Sequence, residues 1–181
     1  LDRSGSDLAA LARYARRLDA DVVALQETDG PQAAREVFRG YAFCFSSRRN
    51  VQNTGFAIRS GLPFRCGPEL RELSLGDVLR RGMELVLFPG TPRELRLLSV
   101  HLKSGCKRGL LDSGKAACRD LARQVPILEG WIDTQAAAGH RFAVLGDFNR
   151  ELLWERDGGA RSADGTLLRL WPEIDDADPP D

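Results

Sequence analysis

Three short apolar runs, each ending in polar residues, constrain this chain more than any other feature. The run that organises the rest lies in Arg141 to Arg150, RFAVLGDFNR. Phe142 to Leu145 have the length of a buried strand, and Gly146 is expected to end it where Asp147 and Asn149 emerge. Glycine turns sharply without a Cβ penalty, and ligands in open α/β sheets gather at the carboxyl ends of strands. On extended backbone, Asp147 and Asn149 would point to one side, because they lie two residues apart. The second run, DVVALQE, ends in Gln26 and Glu27, and the third, LLSVHLK, carries His101 near its end. Each tip has a bland reading: a turn at Asp147, a helix-capping carboxylate at Glu27, a satisfied core imidazole at His101. Burying a carboxylate or an imidazole without a partner is costly, and a strand buried on both faces has no structural use for either. Three such tips together imply one shared site.

The remaining pattern alternates helix and strand, as layered α/β folds do. Ser4 or Ser6 can cap a helix with apolar positions Leu8, Leu11, Ala12, Ala15 and Leu18. After the strand at Asp21 to Gln26, Pro31 opens a short helix through Phe38. Strands are expected at Tyr41 to Phe45, Gly55 to Ile58, Phe64 to Leu73, Met83 to Phe88 and Glu94 to Leu102, in an antiparallel section. Pro89, Gly90 and Pro92 mark a hairpin turn between the last two. A long helix spans about Ser113 to Ala138, kinked or divided at Pro126. Strand Arg141 to Leu145 follows, and beyond Asn149 the chain reads as loop into an acidic, Pro-containing tail, DDADPPD.

The 181 residues, 43% of them hydrophobic, suit one domain with a sizeable core. The formal net charge is zero, so phosphate affinity must be local rather than a global field. Arg48 and Arg49, with Lys103, Lys107 and Arg108, could line a phosphate backbone or be solvated charge. No apolar run approaches the roughly 18 residues of a membrane span. The opening LDRSGSD has neither Met nor a signal-peptide pattern, so the chain reads as processed or truncated. Cys44, Cys66, Cys106 and Cys118 contain no CxxC pair and accompany only two His, which argues against structural zinc. Two disulfides, Cys106 with Cys118 and Cys44 with Cys66 across the sheet, stand beside the alternative of buried free thiols; bridged, the protein is exported.

LQE at Leu25 to Glu27, SVHLKSG at Ser99 to Gly105 and GDFN at Gly146 to Asn149, in this order, resemble the endonuclease/exonuclease/phosphatase superfamily. That superfamily includes deoxyribonuclease I, abasic-site endonucleases, inositol polyphosphate phosphatases and neutral sphingomyelinases. The resemblance runs from about Leu8 to Asn149 and implies a two-sheet α/β sandwich of the deoxyribonuclease I-like type. It also implies a monomeric, Mg²⁺- or Mn²⁺-dependent hydrolase of nucleic acid or another phosphodiester. Glu27 and Asp147 would hold the metal; Asp147 would also orient or deprotonate the attacking water. Asn149 would donate to the phosphate, and His101 would stabilise the transition state or protonate the leaving group. Arg81 falls where deoxyribonuclease-like members place a phosphate-contacting Arg. Gln52 and Asn53 stand where such members brace the His with a Glu.

Two features of the superfamily find no counterpart. A first strand ending in a metal-binding Asn should precede Leu8, where only seven residues stand, and a closing Asp-His pair should follow GDFN, yet no His follows His140. The expectation is therefore an incomplete domain, nearly inactive alone. An exported nuclease is the leading functional reading; a phosphatase or phospholipase of the same superfamily, or an inactive domain that binds a partner, are the alternatives.

Overall fold

The computed structural model describes residues 5–47, 52–108, 110–156 and 170–175. The amphipathic spacing near the amino terminus forms α1 (Gly5–Leu18), followed by β1 (Val22–Thr28) and α2 (Pro31–Val37), with Pro31 in the first turn. Strands β2 (Tyr41–Phe45) and β3 (Asn53–Arg59) complete a three-stranded antiparallel sheet of order β1-β3-β2. A second sheet takes β4 (Phe64–Leu70), β5 (Gly82–Leu87), β6 (Leu95–His101) and β7 (Phe142–Asp147), in that order. Its pairs are antiparallel except β6 with β7, which α3 (Ala116–Ala137) joins as a parallel crossover.

Side-chain alternation explains why two sheets form a sandwich. On β6, Leu97, Ser99 and His101 face the other sheet, whereas Leu98, Val100 and Leu102 face α3. One core, between the sheets, takes Phe56, Ile58, Met83, Leu85, Leu87 and Leu97. The other, under α3, takes Leu98, Val100, Leu102, Leu121, Val125 and Leu128. Each fully buried aliphatic side chain contributes about 1.5–3 kcal/mol of transfer free energy.

Several expectations change in detail. The strand after Phe64 stops at Leu70, and Arg71–Ser74 form a 3-10 turn. Pro126 does not divide α3, which runs unbroken for 22 residues; the tertiary contacts of Val125 and Leu128 outweigh the one lost i−4 hydrogen bond. Ser6 lies inside α1, and Ser4 lies outside the described residues. The chain beyond Asn149 is not simply loop: α4 (Leu152–Arg156) and α5 (Leu170–Ile174) follow, and Leu170 is buried against the α3 core. Of the acidic tail, only Asp175 is described. Both disulfides form, with Cα–Cα distances of 5.6 Å for Cys44–Cys66 and 5.0 Å for Cys106–Cys118. Cys44–Cys66 does not cross one sheet; it ties β2 of the first sheet to β4 of the second.

Candidate active site

The carboxyl ends of β1, β6 and β7 meet at one edge of the sandwich, and each polar tip is placed there by a specific backbone device. Parallel pairing sets His101 opposite Asp147 in the β6–β7 ladder. Gly146 is not the turn expected of it: it lies inside the ladder opposite Val100. At φ 139° it comes so close that a Cβ would overlap the Val100 carbonyl oxygen. The glycine is required by this close approach, and the strand continues to Asp147. The chain then turns rather than extending. Asn149 adopts φ 54°, its backbone N–H donates to Asp147 Oδ1 at 2.8 Å, and its carboxamide Nδ2 donates to the Leu102 carbonyl at 3.0 Å. The amide is thereby locked beside the end of β6.

Glu27 reaches the same region through a bulge. Leu25 pairs with Gly55 and Thr28 with Asn53, so Gln26 and Glu27 together oppose Thr54 alone. Glu27 takes φ 54°, and Gln52, just before β3, takes φ 73°. Left-handed backbone at Glu27, Gln52 and Asn149 concentrates strain at this end of the molecule, as functional sites commonly do. Below them, Gln26 Nε2 donates to Ser99 Oγ at 3.1 Å, and Ser99 Oγ donates to the Leu25 carbonyl at 3.3 Å. This polar link ties β1 to β6 across the inter-sheet core.

His101 is buried, 6% exposed, with Nε2 3.8 Å from Asp147 Oδ2 and no hydrogen-bond partner for Nδ1 among the described residues. Burial, then the Arg80 charge, hold its pKa below the ordinary histidine value, although Asp147 and Glu27 pull it upward. The imidazole is therefore neutral near pH 7 and can donate through only one ring N–H. Those same influences put Glu27, Asp147 and Arg80 within electrostatic reach of one imidazole. The brace expected from Gln52 and Asn53 does not reach His101 Nδ1, which has no hydrogen-bond partner among the described residues. Gln52 Oε1 accepts from Arg80 at 2.7 Å and Asn53 Oδ1 accepts from Ser46 at 3.3 Å.

The two arginines at the start of β5 divide their work. Arg81 donates to Glu69 Oε2 at 2.8 Å, to Asp77 Oδ1 at 2.7 and 2.9 Å and to Ser47 at 3.0 Å. Its pKa is raised by Glu69 and Asp77. Burial pushes Glu69 upward, but hydrogen bonds from Ser47 and Arg81 outweigh it and hold the carboxylate below its ordinary range. Arg81 is thus a loop clamp, and its carbonyl is itself held by Thr54 Oγ1. Arg80 instead bonds Gln52 and lies 3.5 Å from Glu27 Oε1. Nothing in the Arg80-Arg81 dipeptide distinguishes them, because the carboxylates that claim Arg81 are decided by tertiary folding.

The loop after His101 is fastened twice. Cys106–Cys118 anchors it to α3, and Arg150 Nη1 donates to the Cys106 carbonyl at 2.6 Å. Arg150 is ion-paired with Glu155 in a fully buried contact, and Glu155 accepts the Trp171 N–H at 2.9 Å. This pair, next to Asn149, went unforeseen because nothing marks Arg150 or Glu155 as buried before the chain folds. Lys107 and Arg108 both contact Glu151 at the surface. Arg48 and Arg49 lie outside the described residues. A cleft of about 910 Å³ between α1, α2 and β1 reaches Glu27 and Gln52; neither His101 nor Asp147 lines it.

Glu27 and Asp147 are half-exposed carboxylates, 47% and 54% open. Together with a carboxamide and no thiolate, they form a hard-oxygen donor set suited to Mg²⁺ or Mn²⁺, which typically take one or two protein carboxylates and keep several waters. No group of three or more His, Cys, Asp or Glu positioned for a metal occurs among the described residues.

A sequence model described as "Endonuclease/Exonuclease/phosphatase family" matches residues 2–169. No curated protein sequence matches. Among solved structures, TDP2 from Caenorhabditis elegans is 16% identical and superposes with a TM-score of 0.62 over 90% of this chain and 47% of its own. The human Nocturnin catalytic domain is 18% identical, TM-score 0.57, over 89% and 68% of the two chains. ANGEL2, described as a 2′,3′-cyclic phosphatase, is 20% identical, TM-score 0.53, over 78% and 43%. The chain spans about half the length of the TDP2 structure. These likenesses establish the deoxyribonuclease I-like fold, and the family match extends over most of the sequence: the chain belongs to the endonuclease/exonuclease/phosphatase family.

Proposed function

We propose that this chain is a single, incomplete domain of a divalent-metal-dependent phosphodiester hydrolase, most specifically an exported nuclease acting as a monomer. The observation that carries the reading is the meeting of Glu27, His101, Asp147 and Asn149 at the carboxyl ends of three strands. Glu27 and Asp147 would hold Mg²⁺ or Mn²⁺, which when bound neutralises phosphate charge and acidifies a water. Asp147, half-exposed, would orient or take a proton from the attacking water. Asn149 Nδ2 keeps a second N–H for a phosphate oxygen after bonding Leu102. His101, neutral near pH 7, would donate to the phosphate through one ring N–H and gain protonation as anionic charge arrives beside it.

The oxyanions in two similar structures, a sulfate in Nocturnin and adenosine-2′,3′-vanadate in ANGEL2, accord with a phosphate ligand. Two disulfides support an oxidising compartment, and no helix among the described residues is long and apolar enough to cross a membrane. One observation favours a second reading, a domain that binds a phosphate without cleaving it: among the described residues no group of three or more His, Cys, Asp or Glu is positioned for a metal. The test is hydrolysis of plasmid DNA, an inositol phosphate and sphingomyelin by the full-length protein, with Mg²⁺ or with chelator. Metal-dependent cleavage of DNA that Asp147→Asn removes supports the nuclease; cleavage only of another substrate moves the assignment within the family. No cleavage of any substrate, with phosphate still bound, selects the second reading.

A further inference from the structure

The site's available cation is a residue that the family resemblance did not single out. Arg80 Nη2 donates to Gln52 Oε1 at 2.7 Å but lies at 3.5 Å from Glu27 Oε1, the one carboxylate it reaches among the described residues. Its Nε is buried and has no hydrogen-bond partner there. A guanidinium carries five N–H donors in a planar fork, and this one has a single short hydrogen bond. Its backbone is held in place, because Thr54 grips the next carbonyl and Glu69, Asp77 and Ser47 fasten the Arg81 side chain. The result is a fixed cation, 19% exposed, with donors to spare beside a half-exposed carboxylate.

We propose that Arg80 is the phosphate-binding cation of this site and exchanges partners, leaving Glu27 for the substrate phosphate when a divalent cation takes Glu27. This rests on the metal-dependent phosphodiesterase reading above. Without a bound metal, Arg80 supplies positive charge to Glu27. A divalent cation replaces that charge, and the released fork fits two oxygens of one phosphate, as arginine does with planar bidentate geometry. Gln52 keeps the guanidinium at the edge of the site throughout. The exchange couples the two ligands: the metal frees Arg80 for phosphate, phosphate frees Glu27 for the metal, and each therefore tightens the other by the same factor.

The experiment is calorimetric titration of Mg²⁺, and of inorganic phosphate at saturating Mg²⁺, into the wild type and into Arg80→Gln, Arg80→Lys and Glu27→Gln, each first checked for a cooperative melt. An exposed Arg–Glu pair is a modest competitor. Arg80→Gln should therefore bind Mg²⁺ about two- to fivefold tighter without phosphate. It should bind phosphate about 10- to 100-fold more weakly, as expected for a lost charge-assisted contact. Arg80→Lys keeps the charge without the fork and should fall between; it carries the same comparison if Arg80→Gln fails to fold. If Glu27→Gln abolishes Mg²⁺ binding but the Arg80 variants leave both affinities within about twofold of wild type, the exchange is wrong and the functional reading stands. If the wild type binds no Mg²⁺ and cleaves nothing, the functional reading falls and the exchange falls with it.

Discussion

His101 and Asp147 are register partners in the only parallel strand pair among the described residues, and their side chains stand 3.8 Å apart, Nε2 to Oδ2. That distance is too long for a hydrogen bond. Asp147 is half-exposed, whereas His101 is buried and its Nδ1 has no hydrogen-bond partner among the described residues.

Asp147→Asn keeps the acceptor for the Asn149 N–H but removes the proposed base. The expected loss in kcat/KM on a phosphodiester substrate is about 10² to 10⁴. The melting temperature should change little, because the side chain is 54% exposed. A large drop in stability with preserved kcat/KM would show the carboxylate to be structural.

His101 contributes a pH dependence of definite sign. Its folded pKa lies below its ordinary value of 6.5, so the unfolded chain binds the proton more readily. The stability linked to His101 is complete above about pH 6.5 and is lost as pH falls from there through the lower folded value. In chelator-treated protein, urea unfolding between pH 7.5 and about pH 5 should lose less stability in His101→Asn than in wild type. Parallel curves for the two proteins would contradict the assignment.

Gly146→Ala should be among the most damaging single-methyl additions. The new Cβ meets the Val100 carbonyl in a backbone conformation that L side chains rarely adopt. Overpacking typically costs about 1–3 kcal/mol, and opening the β6–β7 ladder would also move Asp147 away from His101. Denaturant unfolding and Mg²⁺ affinity should fall together.

The buried Arg150–Glu155 pair has its own signature. Glu155→Gln leaves a buried cation without its carboxylate, which typically costs about 3–5 kcal/mol. Because Arg150 also holds the Cys106 carbonyl and follows Asn149 directly, activity should fall more than the melting shift alone accounts for. A variant as stable as wild type would exclude the pair as an anchor.

Unreduced protein should contain no alkylatable thiol, since all four cysteines are bridged. Loop-closure entropy assigns about 3 kcal/mol to each bridge. Cys106→Ser with Cys118→Ser should therefore lower the denaturation midpoint and loosen the site loop, which amide exchange at residues 102–106 would detect.

What the sequence determined by itself was the set of elements and the identity of the polar tips. Apolar runs of strand length ending in Gln26-Glu27, His101 and Asp147-Phe148-Asn149 are local patterns, and local patterning places strands, helices and the residues at their ends. The order of LQE, SVHLKSG and GDFN likewise carried the family and its fold. What required the tertiary structure was each relationship between distant segments. Gly146 looks like a turn residue until a parallel neighbour presses the Val100 carbonyl against it. Arg80 and Arg81 are equivalent in sequence until Glu69 and Asp77 claim one and leave the other beside Glu27. Gln52 and Asn53 are near enough in sequence to a bracing position, yet Arg80 and Ser46 engage them instead. Cys44 and Cys66 could pair within one sheet until the chain splits into two. The reason is physical: a side chain's secondary-structure setting follows from its neighbours a few residues away, but its partner follows from packing and charge among segments that only folding brings together.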